Sequence, residues 1–223
     1  LGDVYKRQSP EVQTGGGRGV FGTGVGGSTI DYINIATTGN AIDFGDLTYK
    51  PDNNATASNS VRGLCMAGNN SGNLNTICYC TIATTGDFAE FGDLSSTSQE
   101  TSATAGPTRA LGNQAANIYM ITIATLGNSI DFGDATKNAG GTAPMSSPTR
   151  AVFAGGYGSP AFRNDIMKVE IATTGNASDF GDLTGVVDGD IGMVTSPTRA
   201  VFGGGGAPNG GEMTYVEIAT TGN

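Results

Sequence analysis

The chain has 223 residues, 37 of them Gly, with no His or Trp and a formal net charge of −9 from 11 Lys or Arg against 20 Asp or Glu. So acidic a balance argues against nucleic acid as a partner, because phosphate binding needs clustered cations, and no apolar run approaches the ~20 residues of a membrane span. Without His, the Ser-His-Asp and Cys-His catalytic arrangements are excluded.

Residues 1–8, which include "DVYKRQ" at 3–8, are expected to be a non-native leader and are set apart from the fold. From residue 9 to 223 the chain reads as one repeat domain. Its units run over approximately 9–48, 49–96, 97–136, 137–184 and 185–223, the last truncated. The Ile of "IAT" recurs at Ile35, Ile82, Ile123, Ile171 and Ile218, with spacings of 47, 41, 48 and 47. An Arg before a short apolar run recurs at Arg18, Arg62, Arg109, Arg150 and Arg199, so five of the eleven cations share one slot.

Each unit reads as four strands in chain order. A weak strand such as "DIGMVTS" (190–196) precedes the Arg, and an Arg strand such as "RAVFAGG" follows. Next come an "IAT" strand such as "NDIMKVEIAT" and a returning "DFGDL" strand. "TTGN" supplies the Gly and Asn that a tight hairpin tolerates at positive φ. β-branched residues, Gly and turn formers dominate and no 3.6-residue apolar stripe persists, which disfavours helix. Ile33 and Ile35 share one face of their strand while Ile30 and Tyr32 share the other, so both faces bury something. Four-stranded units of ~40 to 50 residues in series predict an all-β fold, a β-propeller of about five antiparallel blades. So much glycine requires regular backbone pairing and a core made of many thin layers.

In the order Arg, apolar strand, Gly-Gly, aromatic strand, turn, aromatic strand, the unit resembles the kelch repeat, with Phe44, Phe91, Phe132 and Phe180 where kelch usually has Trp. More closely, "TIATTGNAxDFGDLT" and "SPTRAVFAGG" resemble kelch-like repeats of tail-fibre or virion proteins of marine bacteriophages. The likeness covers essentially residues 9–223. The Arg109 copy departs from it by lacking the Gly-Gly pair and the Phe, and the last unit stops before its fourth strand. Kelch rings usually have more than five blades, so an incomplete or open ring is an alternative to closure.

Loop lengths separate the two ends of such blades. From the "IAT" Ile to the "FGD" Phe the separation is 9 in all four complete copies, and from Phe to the next Arg it is 18, 18, 18 and 19. From Arg to Ile it is 17, 20, 14, 21 and 19. Length variation therefore concentrates between the second and third strands, at the end that also carries the unit-to-unit connections. Recognition residues favour variable loops on a rigid scaffold. The candidate ligand-binding residues are Asn69, Asn70, Tyr157, Phe162 and Arg163, with Tyr49 and Lys50 from a connecting segment. Ordinary solvated loops are the bland alternative.

The acid pairs Asp43/Asp46, Glu90/Asp93, Asp131/Asp134 and Asp179/Asp182 invite a glycosidase or calcium reading. A feature copied into every unit, however, answers a need that every unit has. Asp46, Asp93, Asp134 and Asp182 are therefore expected to accept turn amides or to pair with the repeat Arg. No catalytic residue, metal ligand or cofactor is assigned. "GTGVGG" (22–27) matches G-x-G-x-x-G, yet a strand follows it where a dinucleotide site needs a helix. Cys65, Cys78 and Cys80 lack a fourth zinc ligand of the usual kind, and Cys65 stands where other copies have Phe, which predicts a small buried hydrophobe.

The expected function is a noncatalytic structural or recognition propeller. The phage resemblance implies a fibre or appendage module, virion-borne or extracellular, whose partner is a cell-surface glycan or a protein. The alternatives are a cytoplasmic kelch-type protein-interaction scaffold and a fragment of a propeller enzyme, an oxidase or lyase.

Overall fold

The computed structural model describes residues 17–22, 27–98, 100–187, 191–204 and 213–220, and their regular elements are all strands. The expected leader at 1–8 lies outside the described residues. Five antiparallel sheets follow one another along the chain as propeller blades. Blade 1 holds β1 (Arg18–Gly22), β2 (Thr29–Asn34) and β3 (Ile42–Asp46). Blade 2 holds β4 (Ala55–Ser58), β5 (Arg62–Met66), β6 (Leu74–Thr81) and β7 (Ala89–Ser98). Blade 3 holds β8 (Ser102–Ala105), β9 (Arg109–Gln114), β10 (Asn117–Thr122) and β11 (Ile130–Asp134). Blade 4 holds β12 (Ala143–Ser146), β13 (Arg150–Ala154), a short β14 (Tyr157–Gly158), β15 (Ala161–Glu170) and β16 (Ser178–Val187). Blade 5 holds β17 (Ile191–Thr195), β18 (Arg199–Gly204) and β19 (Met213–Glu217). Because strands that adjoin in sequence pair in space, each blade is a local meander, and β4, β8, β12 and β17 line up as the inner edge.

The apolar core lies between blades. Blades 1 and 2 bury Ile30, Phe44, Cys65, Cys80 and Ile82 against one another. Blades 2 and 3 join through Leu64, Ile77, Phe91, Ala110, Ile121 and Ile123. Blades 3 and 4 join through Leu111, Ile118, Phe132, Phe153 and Ile171, and blades 4 and 5 through Val152, Ile166, Phe180, Phe202 and Ile218. A strand with a blade on either side is thus spent on two different interfaces: in β6, Ile77 packs toward blade 3 and Cys78 and Cys80 toward blade 1. In β2 the Ile30/Tyr32 face packs in this way, whereas Ile35, on the other face, is 65% exposed, contrary to the expectation that both faces bury something.

The repeated phrases build these interfaces. In every "IAT"–"FGD" strand pair the register slips by one residue at the Phe. Ile30 faces Gly45 while Asp31 faces Asp43, and the same slip recurs at Phe91, Phe132 and Phe180. Such a bulge re-aims a side chain. Here it accompanies the burial of Phe44, Phe91, Phe132 and Phe180 to between 2% and 4% exposure, each against the next blade.

The backbone beside each Phe receives the "TTGN" turn of the following blade. Gly86, Gly127 and Gly175 donate N–H to the carbonyls of Phe44, Phe91 and Phe132 at 2.7, 2.9 and 2.9 Å. The residue after the turn glycine completes the junction. The Oδ1 atoms of Asp87, Asn128 and Asn176 accept from the backbone N–H of Asp46, Asp93 and Asp134, each at 3.0 Å. The hairpin turn is therefore also a blade-to-blade clasp.

The repeat Arg makes a second clasp, and it corrects the expectation of Arg–Asp pairing. Nη1 of Arg18, Arg62, Arg109 and Arg150 donates to the carbonyl of the next blade's Ile82, Ile123, Ile171 and Ile218 at 3.0, 2.8, 2.9 and 2.7 Å. The ion pairs among the described residues are Arg150–Glu170, Arg163–Asp165 and Arg199–Glu217, none using a repeat Asp. A main-chain carbonyl satisfies the guanidinium without a second buried charge, which avoids the desolvation penalty of a buried ion pair. Asp46, Asp93 and Asp134 serve through their backbone, accepting Phe88, Ser129 and Ala177 N–H at 2.8 Å each. The Asp46 carboxylate also accepts from Ser28 Oγ at 3.3 Å, and nothing in the structure explains why Asp93 and Asp134 carry carboxylates. The partner turn of Asp182 falls at 221–223, outside the described residues.

Candidate functional site

Blade 3 makes a gap in the loop face. Two residues, Ala115 and Ala116, join β9 to β10, whereas seven (67–73) join β5 to β6 and six (155–160) join β13 to β15. The short turn is held from below. Asn113, 1% exposed, donates from Nδ2 to the carbonyls of Ala115 and Asn117 at 3.2 and 3.3 Å, and Ala115 takes φ +55. A low blade between two tall ones leaves a cleft of about 510 Å³ on the variable-loop side.

Three blades supply its lining. Asn73, Thr97 and Ser98 come from blade 2, Glu100 and Gln114 from blade 3, and Tyr157, Ser159 and Arg163 from blade 4. The blade 4 wall is a hairpin in which Tyr157 pairs with Phe162, with rings edge to face at 5.4 Å and both about half exposed. It is pinned to the connecting segment by reciprocal Tyr157–Gly140 backbone bonds of 2.9 and 3.0 Å, so the aromatic pair stands on a fixed support.

Polar groups in the cleft divide into spent and available ones. Gln114 is spent, donating to the Thr97 carbonyl at 2.9 Å and accepting from Ser96 at 3.1 Å. Asn73 accepts from Asn69 Nδ2 at 3.2 Å, and its own amide group gives it further donors. Arg163 lies 3.7 Å from Asp165, and its Nε is buried with no hydrogen-bond partner. The Glu100 carboxylate stands over Gly140 at the floor. Amide, guanidinium and carboxylate thus converge beside an exposed aromatic ring, a set suited to hydroxyl-rich ligands.

The sequence candidates fall in different places. Tyr157 and Arg163 line the cleft, Phe162 braces Tyr157, and Asn69 orients Asn73. Lys50 and Asn70 are exposed but do not line it. Tyr49 leaves the candidate set. Its ring packs on the core between blades 1 and 2, and its hydroxyl donates inward to the carbonyls of Ala67 and Thr76 at 3.3 Å. Asn73, Glu100 and Gln114 were missed. The one signal for them was the 14-residue Arg-to-Ile spacing of the third unit against 20 and 21 in its neighbours, which marks a low blade.

The cysteines belong to packing. Cys65, Cys78 and Cys80 are free and buried where blade 2 meets blade 1. Burial pushes the Cys80 thiol up to about 11. Burial also raises the Tyr49 phenol, with Cys65 adding to it. The hydrogen bond to Cys65 raises Cys78, and the same contact holds Cys65 below its ordinary value, helped by Tyr49 and by Asn54 Nδ2 at 3.1 Å. Among the described residues no group of three or more Cys, Asp or Glu is placed to hold a metal. After "GTGVGG" the chain enters β2, a strand where a pyrophosphate site needs a helix N-terminus. No helix among the described residues is long and apolar enough to cross a membrane. A larger cavity of about 720 Å³ lies against β1, Cys65 and the inner-edge strands.

No protein-family model and no curated protein sequence matches the chain. Solved structures do match, and 184 chains are similar. The structure of YjhT aligns over 87% of this chain and 70% of its own, with a TM-score of 0.73 and 9% identity. At that identity the likeness shows the propeller fold alone, and a fold so widely shared assigns no activity.

Proposed function

We propose that the protein is a noncatalytic recognition propeller whose cleft over blade 3 takes a cell-surface glycan. The observation that carries this reading is the convergence on one cleft of Asn73, Glu100, Arg163 and the Tyr157–Phe162 pair, drawn from three blades. Sugar hydroxyls need donors and acceptors fixed in space, and the apolar face of a pyranose packs on an exposed ring. The cleft offers both on a rigid support. Its single carboxylate among the described residues, Glu100, and the absence of His from the chain support a binding role over proton-transfer chemistry. The repetition of the acid pairs unit by unit supports the same reading. The setting, a phage tail fibre or similar virion or extracellular appendage, rests on the resemblance of the "TIATTGNAxDFGDLT" and "SPTRAVFAGG" phrases to such repeats.

Replacing residues 157–163 by an unrelated hairpin tests this reading. The chain is expected to fold and to lose or change its glycan-array profile. A profile indistinguishable from that of the original chain would overturn the assignment.

A further inference from the structure

Blade 2 sets two thiols face to face. Cys65 of β5 lies directly opposite Cys78 of β6, and both point to the blade 1 side of their sheet, where they are buried. Directly opposed residues of an antiparallel pair have Cα atoms about 4.5–5.5 Å apart, inside the roughly 4.4–6.8 Å that a disulfide spans. The Cys78 thiol hydrogen-bonds the Cys65 sulfur. In the same slots of the other blades Phe21 opposes Asp31, Gly112 opposes Tyr119, Phe153 opposes Met167 and Phe202 opposes Thr214. Cys80, two residues beyond Cys78 on the same face, stands opposite Gly63 and so faces no thiol.

Cys65 is furnished as more than a filler of apolar volume. Asn54 Nδ2 donates to its sulfur at 3.1 Å, and the Tyr49 hydroxyl lies 3.7 Å away. A packing residue needs no such donors, whereas a thiolate is stabilised by them. The hydrogen bond from Cys78, with those of Tyr49 and Asn54, holds the Cys65 thiol below its ordinary value against the opposing pull of burial. Access is one-sided as well. Cys65 and Asn54 line the cavity of about 720 Å³, and Cys78 lies behind them, outside its lining.

We propose that Cys65 and Cys78 form an oxidisable dithiol site, at which a hydroperoxide entering the cavity closes a disulfide between β5 and β6. The Cys65 thiolate attacks one peroxide oxygen and the O–O bond breaks. Cys65 becomes a sulfenic acid, and the other oxygen leaves with the proton that Cys65 gave up, as water when the oxidant is hydrogen peroxide. The Cys78 sulfur then attacks the Cys65 sulfur, the S–O bond breaks, and the hydroxyl departs as water with the Cys78 proton. The two thiols together lose two electrons and the peroxide gains them. Cys65 is the attacking group because it meets the cavity and holds the donors, and Cys78 resolves it from behind. The bond closes a ring over residues 65–78 that contains loop 67–73, so oxidation ties down the base of the cleft wall that carries Asn73.

The test treats the reduced, folded chain with hydrogen peroxide, then maps its thiols by alkylation after unfolding and by peptide mass spectrometry without reductant. The expected result is a linked Cys65–Cys78 peptide, two alkylatable thiols fewer, and Cys80 still free. Cys78→Ser is expected to stop the reaction at the sulfenic acid, which a cyclic 1,3-diketone captures on Cys65. Asn54→Ala should slow closure of the bond about threefold or more, because Cys65 loses a donor. Should either variant fail to fold, the thiol map of the original chain decides by itself. Full alkylation of all three thiols after peroxide overturns the proposal. So does a bond that uses Cys80, or a Cys65 carried on to the sulfinic acid with no bond formed.

Discussion

Arg109 Nη1 lies 2.9 Å from the carbonyl oxygen of Ile171, 62 residues further along and in the next blade, and it also reaches the Ala172 carbonyl at 2.8 Å. The same donor and the same slot recur at every junction the structure describes, so one charge per repeat sews neighbouring sheets together. Arg109→Ala is expected to destabilise the fold by about 1–3 kcal/mol, the usual range for a charged donor lost from partly buried acceptors. A urea midpoint unchanged from the original chain would remove the clasp from the account. Arg109 is the cleanest position, since Arg150 also pairs with Glu170 at 2.7 Å.

The turn clasp predicts an asymmetry between two glycines. Gly133 has φ +152, and a Cβ there would sit 2.4 Å from the Gly175 carbonyl oxygen of blade 4, whereas nothing lies within 4 Å of a Cβ on Gly39. Gly133→Ala should cost about 2–4 kcal/mol through strain and displaced backbone. Gly39→Ala should leave stability within about 0.5 kcal/mol. Thermal unfolding of the two variants side by side checks this, and equal losses would contradict it.

Alkaline pH should weaken the blade 1–blade 2 junction. The Cys80 thiol, at about 11 in the folded chain, lies above its ordinary value, so folding favours the protonated form. The stability it contributes is full below the unfolded thiol value near ~8.5 and is lost as pH rises through the folded one. Buried Tyr49 and Tyr119 phenols, both raised by burial, extend the fall above the ordinary phenol range. The melting temperature should therefore drop between pH 8 and 11, on the order of the window set by these groups. Cys80→Ala should make the early part of the drop shallower. A flat profile over that window would contradict the linkage.

Much of the architecture was legible because the repeat is written in backbone chemistry. Alternation of Ile30/Tyr32 with Ile33/Ile35 encodes a two-faced strand, and the constant 9-residue step from Ile to Phe encodes a fixed hairpin. The acceptor of the repeat Arg was not legible, because a main-chain carbonyl carries no residue identity. The sequence therefore offered only the nearby Asp as a partner. "TTGN" read as a hairpin turn for a similar reason: its Gly and Asn suit a tight turn, and the docking of that turn on the preceding blade leaves no separate mark. In the candidate cleft, Tyr157 and Arg163 stood out by type and loop. Glu100 and Asn73 depended on which blades are neighbours and on the two-residue turn at Ala115–Ala116, a matter of relative height among three units. Tyr49 misled because an aromatic in a connecting segment can turn inward, as its bonds to Ala67 and Thr76 show.

Arg163 separates binding from folding. Its side chain is partly exposed at the cleft wall, where Nη1 lies 3.7 Å from the Asp165 carboxylate, while its Nε is buried. Arg163→Gln is expected to weaken glycan binding about tenfold or more, a ~1.4 kcal/mol effect, with little change in melting temperature. A loss of folding with binding intact per folded molecule would make Arg163 structural.

The most direct measurement fills the cleft from below. Residues 67–73 are grafted in place of Ala115–Ala116, so that blade 3 rises to the height of blade 2. The original and grafted chains are then compared on a glycan array and by thermal unfolding. The account predicts that the original chain binds a defined set of glycans, while the graft stays folded and binds none of them. The same binding profile from both chains would contradict it, as would no glycan binding by the original chain.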